Sequence, residues 1–167
     1  MPLNLELKAK IKSPSKILRT LQKMRCKSEA LVQTDTYFHV KRGRLKLREF
    51  EKDKAELIFY TRKEKVGPRL SAYTILSISD AKKTKEFLKK AFGVSVIVRK
   101  TRHVYYYKEE ARIHIDKVKG LGMFIEFEVF CEGGKKNAAV LYNNLVKIFE
   151  IKKKDIIRYS YADLIRH

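Results

Sequence analysis

The chain has 167 residues, 44% of them hydrophobic, and its 39 Lys and Arg stand against 19 Asp and Glu for a formal charge of +20. That length fits one domain spanning 1–167, the apolar fraction excludes wholesale disorder, and no run approaches the roughly 18 consecutive apolar residues of a membrane helix. The opening MPLNLELKAK carries charge where a secretion signal needs an apolar run, and Cys26 and Cys131 match neither a metal-ligand spacing nor a disulfide framework. A reduced, cytoplasmic setting is therefore expected, with no membrane contact.

The first segment alternates strictly. Leu3, Leu5, Leu7, Ala9 and Ile11 fall on one face and Asn4, Glu6, Lys8, Lys10 and Lys12 on the other, which predicts a strand. Ser13-Pro14 then offers a cap and first turn for a helix whose apolar stripe is Ile17, Leu18, Leu21 and Met24. Strands are predicted at Thr34–His39, Arg44–Phe50, Ala55–Arg62 and Tyr73–Ile78. Asp80 caps a second helix that buries Phe87, Leu88, Ala91 and Phe92 and stops at Gly93. Three more strands follow: Val94–Tyr107 up to a turn at Lys108-Glu109-Glu110, then Arg112–Val118, then Met123–Cys131. A third helix runs from about Lys135 to Glu150, and a short last one starts after Ser160, where Ser-Tyr-Ala-Asp resembles a capping box. Successive strands without intervening helices point to an antiparallel sheet and an α+β class, and about eight strands suffice to close a barrel.

The polar faces of these strands are almost purely ionic. Arg44, Lys46 and Arg48 share a face, as do Lys100 and Arg102, then Arg112, His114 and Asp116, and finally Glu126 and Glu128. A solvent-facing sheet explains any one strand alone. A closed barrel would turn all these faces into one lumen, where unpaired charge is costly, so a lumen lined with Lys and Arg calls for a polyanion. Carboxylates beside that anion call for a hard divalent cation such as Mg²⁺, which takes oxygens from one or two carboxylates and from substrate phosphates. Glu126 and Glu128, about 6.6 Å apart along a strand, suit one shared ion or one each. The residues thus describe a metal-dependent binder of a phosphate chain.

In these segments the sequence resembles the CYTH superfamily, the class IV adenylyl cyclases and thiamine triphosphatases also called triphosphate tunnel metalloenzymes. Asn4-Leu-Glu6-Leu-Lys8 is similar to the family's Glu-x-Glu-x-Lys strand. Gln33-Thr-Asp35-Thr-Tyr37-Phe38, Gly43-Arg-Leu-Lys46-Leu-Arg48, Leu57–Arg62, Gly67–Tyr73, Lys100-Thr-Arg102 and Arg112–Asp116 resemble its later strands. Gly120-Leu-Gly-Met-Phe-Ile-Glu126-Phe-Glu128 is the most specific piece, and Ser160-Tyr161-Ala-Asp-Leu resembles its C-terminal segment. The resemblance implies an eight-stranded antiparallel tunnel that binds a triphosphate with Mg²⁺ or Mn²⁺. It makes Glu6, Glu126 and Glu128 metal ligands and, with Lys8, the catalytic set. Lys8, Lys46, Arg48, Arg62, Arg69, Lys100, Arg102 and Arg112 would hold phosphates, and Asp116 would orient basic residues. Asn4 departs from the pattern, because a neutral amide attracts a cation less than a carboxylate and is no general base.

With water as nucleophile such a site is a triphosphatase acting on inorganic, thiamine or nucleoside triphosphate. With the ribose 3′-hydroxyl of ATP it is a cyclase that releases pyrophosphate. The same phosphate cage serves both. The other class is a binder without turnover, which Asn4 favours. Lys82, Lys83, Lys85, Lys89, Lys90, Lys135, Lys136 and Lys152–Lys154 would then contact polyphosphate or RNA, against the plainer expectation of a solvated lysine-rich exterior.

Overall fold

The computed structural model describes residues 3–51, 54–62 and 69–166, with Arg62, Arg69 and Leu70 described by backbone alone. In chain order the elements are β1 (Leu3–Lys10), α1 (Pro14–Met24), β2 (Lys27–Phe38), β3 (Arg44–Phe50), β4 (Ala55–Arg62) and β5 (Arg69–Ile78). Then come α2 (Ala81–Phe92), β6 (Val94–Tyr107), β7 (Ala111–Val118), β8 (Gly122–Phe130), α3 (Lys135–Ile148), a single 3₁₀ turn at Lys153–Asp155, and α4 (Tyr161–Arg166). The strands close into an antiparallel barrel in the order β1-β5-β4-β3-β2-β6-β7-β8. Closure removes every sheet edge and turns one face of each strand inward. No helix among the described residues is long and apolar enough to cross a membrane.

Turn chemistry sets the registers. Gly43, in the β2–β3 connection, has φ +66, and a Cβ there would lie 2.6 Å from the Phe59 ring, so glycine is required. That connection pairs Phe38 with Leu45 and, three residues further, Asp35 with Arg48. Lys108 and Glu109 take positive φ in the tight β6–β7 turn, which pairs Tyr107 with Ala111 and Arg102 with Asp116. The β7–β8 turn around Gly120 (φ +80) pairs Arg112 with Glu128 and His114 with Glu126. Asp80 caps α2 by accepting from the Lys83 N–H at 2.9 Å, and Gly93 follows its last residue. The capping box at α4 is reciprocal: the Ser160 N–H donates to Asp163 Oδ2 at 3.0 Å, and the Asp163 N–H donates to Ser160 Oγ at 3.2 Å.

Besides a small cluster of Phe38, Leu47 and Ala55 against Leu88 of α2, two apolar clusters flank the lumen. The larger lies outside the barrel, where Leu7, Ala9, Ile113, Ile115, Ile125 and Phe127 pack against Ile17 and Leu21 of α1 and Ala138, Tyr142 and Leu145 of α3. The smaller lies inside. Tyr37, Val98, Val118 and Phe124 are on the lumen-facing side of their strands and pack with Tyr161 and Ala162 of α4. This apolar plug fills one end of the barrel, so the ionic part of the lumen is approached from the other end, past Glu29 and Tyr106.

β2 begins seven residues before its expected start. Its first residues, Lys27–Ala30, are exposed on both faces while pairing with β6, so they carry none of the apolar alternation that marks a half-buried strand. β5 likewise begins at Arg69 rather than Tyr73. On α2 only Leu88 of the four expected core residues is buried, and Phe87 is 69% exposed. Cys26 and Cys131 are free thiols.

Candidate active site in the barrel lumen

The lumen encloses a cavity of about 300 Å³. Alternation along β1 points Glu6 and Lys8 into it. Lys46 and Arg48 enter from β3, Lys100 and Arg102 from β6, Arg112 and His114 from β7, and Glu126 and Glu128 from β8. These residues line one space, as the sequence anticipates. Asp116 lies on the same face of β7, fully buried against Arg102 and Tyr161. The side chains of Arg62 and Arg69 lie outside the described residues, although the backbone places Arg69 opposite Glu6. Asn4 is buried, with Ser71 and Phe130 as ladder partners, and is not among the side chains that line the cavity.

The lumen is not a purely cationic sleeve. Charges of both signs share it, and most pairs are direct cross-strand partners. Asp35 accepts from Arg48 through both oxygens, at 2.7 Å and 2.8 Å, and from Lys46 Nζ at 2.8 Å. Asp116 accepts from Arg102 at 2.7 Å and 2.6 Å, and from the Tyr161 hydroxyl at 2.7 Å. Lys8 Nζ stands 3.3 Å from Glu126 and 3.8 Å from the Tyr161 ring centroid. Arg112 Nη2 lies 2.8 Å from Glu128. Buried charges survive only when paired in this way. The barrel therefore meets much of its own charge requirement, and the large positive excess sits outside, on residues such as the exposed Lys82, Lys83, Lys89 and Lys90.

Burial pushes both aspartates up, yet the cations around them win. Arg48, Lys46 and Lys100 hold Asp35 well below the usual carboxylate range, and Arg102 and Lys100 do the same for Asp116. The lysines carry the strain. Burial and the neighbouring Arg48 bring Lys46 down to about 8 despite Asp35. Burial and Arg102 bring Lys100 well below the usual lysine value, and its nearest carboxylate oxygens, at 3.9 Å and 3.8 Å, are beyond hydrogen-bond distance. Lys100 is thus an underpaired ammonium group in the free protein, a state that an incoming anion relieves.

One wall of the cavity offers ligands for a cation. His114, Glu126 and Glu128 each present a ligand atom, all within 4.8 Å of one another. Glu6 lines the same cavity as the ladder partner of Glu128. His114 Nδ1 is buried with no hydrogen-bond partner, and Glu128 Oε2, also without a hydrogen bond, faces Arg112 Nη2 at 2.8 Å as an ion pair. Two carboxylates beside an unpartnered buried imidazole nitrogen fit a divalent cation.

Sequence reasoning did not place Asp35, Tyr37, Tyr60 or Tyr161 in the site. Asp35 was within reach, because a five-residue connection after Phe38 sets it opposite Arg48. Tyr161 was not, since its place depends on α4 folding back into the barrel end.

A closed antiparallel barrel of eight strands with an ionic lumen is the triphosphate-tunnel class of fold. The comparisons agree: the family model described as the CYTH domain matches residues 3–161, and the chain belongs to that family. A curated relative from Methanocaldococcus jannaschii, described as a "putative adenylate cyclase", is 30% identical over 178 residues, covering 97% of this chain and 98% of its own. A Pyrococcus horikoshii protein shares the fold at a TM-score of 0.86 and 19% identity, over 96% of this chain and 98% of its own. A Hippeastrum protein described as a "putative adenylyl cyclase" with "a dominant" triphosphatase activity shares it at a TM-score of 0.73 and 16% identity, over 99% of this chain and 95% of its own.

Proposed function

We propose that the protein binds a linear triphosphate in its barrel lumen together with a divalent cation, Mg²⁺ or Mn²⁺, and hydrolyses it. The observation that carries this reading is the convergence of Lys8, Lys46, Arg48, Lys100, Arg102 and Arg112 on one cavity that also holds Glu6, Glu126 and Glu128. Arg48 and Arg102 each spend Nε and Nη2 on an aspartate, which fixes the guanidinium plane and leaves the Nη1 edge for phosphate oxygens. Asp35 and Asp116 act as positioning residues. Lys46, already bonded to Asp35, and Lys100 supply point charges, and Lys100 gains a hydrogen-bond partner when the anion enters. Phosphoryl transfer asks chiefly for such positioning and charge stabilisation.

A cation held by Glu126 and Glu128, with Glu6 facing them, would neutralise charge on the bridging and terminal oxygens. Glu6 would orient the attacking water, and the apolar plug at Phe124 and Tyr161 keeps bulk water from that end. Water adds to a phosphorus atom as its bond to the bridging oxygen breaks, releasing orthophosphate from the remaining diphosphate. Cyclisation of ATP is the second reading, supported by the description of the M. jannaschii relative.

Incubation with tripolyphosphate, thiamine triphosphate, ATP and GTP, each with Mg²⁺ or Mn²⁺, followed by ³¹P NMR, tests both. Orthophosphate release supports hydrolysis, and cyclic nucleotide with pyrophosphate selects the cyclase. No product from any of them, with binding retained, overturns turnover. Glu126→Gln and Glu128→Gln are expected to abolish metal-dependent turnover with the fold intact, and full activity in the double variant contradicts the assignment.

A further inference from the structure

His114 has a chemistry that the phosphate cage does not use. It stands on β7 as the ladder partner of Glu126, between strands bonded to it on both sides. Its chain neighbours Ile113 and Ile115 are anchored in the outer core, which fixes the backbone that carries the imidazole. The ring is 3% exposed. Nδ1 is buried without a hydrogen-bond partner and lies 3.9 Å from Glu126 Oε1, while Nε2 lies 3.8 Å from Glu128 Oε2. Both gaps exceed a hydrogen bond. A histidine kept for packing alone would have its buried nitrogen satisfied by a neighbour. Here the nitrogen instead faces a carboxylate oxygen across a space that a bound ion would bridge. Arg102 also faces this place, 3.8 Å from Glu126.

We propose that His114 is a third ligand of the lumen cation and makes the site prefer a first-row transition dication to Mg²⁺. The inference rests on the cation-binding reading above. Mg²⁺ takes oxygen donors and keeps several waters, whereas imidazole suits transition metals. The ring nitrogen not used for the metal carries the proton.

Mn²⁺ is the probe, on the full chain without substrate. Pulsed EPR of Mn²⁺-loaded protein is expected to show coupling to a directly bound ¹⁴N that changes on ¹⁵N-histidine labelling. Calorimetry is expected to show Mn²⁺ binding more tightly than Mg²⁺, and His114→Asn lowering Mn²⁺ affinity by about 10–100-fold with Mg²⁺ affinity little changed. The labelled wild-type spectrum needs no variant, so a misfolded His114→Asn does not remove the test. Mn²⁺ that binds, depends on Glu126 in Glu126→Gln, and shows no nitrogen coupling overturns the role of His114 alone. Wild-type protein that binds no Mn²⁺ overturns the cation reading and this inference together.

Discussion

Replacing Asp35 with Asn removes the carboxylate that three lumen cations share while keeping its shape. Asp35 is 1% exposed, holds Arg48 through two hydrogen bonds and Lys46 through a third, and has Lys100 at 3.9 Å. Breaking a buried ion pair by removing one partner costs about 3–5 kcal/mol, because the other charge stays behind. Lys46 limits the damage: already down at about 8, it sheds its proton near neutral pH once Asp35 is gone. Arg48 cannot do so and carries most of the cost. A protein of this size loses about 2–4 °C per kcal/mol, so the melting temperature of Asp35→Asn should fall by roughly 6–20 °C. The informative assay is thermal melting with and without tripolyphosphate. Ligand at about 100 times its Kd adds about 2.7 kcal/mol to a protein that binds it only when folded. The shift should be larger in Asp35→Asn than in the wild type, since the anion replaces the missing counter-charge. A variant that melts within about 2 °C of wild type, or that gains no more from tripolyphosphate, refutes the view that Asp35 and the ligand neutralise the same cations.

Lys46 also sets a pH dependence. With its pKa at about 8 in the free protein and raised by a bound anion, tripolyphosphate binding takes up a proton above pH 8. Affinity should be flat from pH 7 to 8 and then fall by up to about tenfold per pH unit, a break that Lys46→Arg removes and that calorimetry in buffers of different ionisation enthalpy detects. The same shift affects stability. The folded value lies below the ordinary lysine value of 10.5, so this group's cost is in full force below pH 8 and is relieved as pH rises from 8 toward 10.5, visible as a wild-type gain absent in Lys46→Arg. At the plugged end, Ser160→Ala removes half of the capping box and should cost about 1 kcal/mol, read by urea unfolding. An unchanged midpoint would mean that Arg44, which lies 2.9 Å from Asp163, holds α4 without the cap.

The alternation of the strands and the caps of α2 and α4 were legible because each is written in neighbouring residues. β3 and β4 run between their expected ends, and Glu6, Lys8, Lys46, Arg48, Lys100, Arg102, Arg112, Glu126 and Glu128 meet in one lumen. The pairing among them was less legible. Whether Arg102 faces Asp116 or solvent depends on strand register, which the turn at Lys108-Glu109-Glu110 fixes but which only the closed ladder confirms. The source of the counter-charge was read differently: a bound polyanion was expected to answer the basic faces and a cation the carboxylates, whereas Asp35, Asp116, Glu126 and Glu128 already pair with lumen cations. The first third of β2 was illegible because no face of it is buried, and the plug because Tyr161 reaches Phe124 and Asp116 only through the tertiary fold.

Calorimetric titration of tripolyphosphate at about 0.15 M salt, where exposed charges are screened beyond about 8 Å, separates the lumen from the basic exterior. The comparison is between wild type, Lys100→Gln, and a variant with Lys82, Lys83, Lys89 and Lys90 of α2 all changed to Gln. The account predicts one tripolyphosphate per chain, affinity lowered by about tenfold or more in Lys100→Gln, and no change in the α2 variant. Wild-type affinity in Lys100→Gln together with a loss in the α2 variant would place the anion on the outer surface and contradict it.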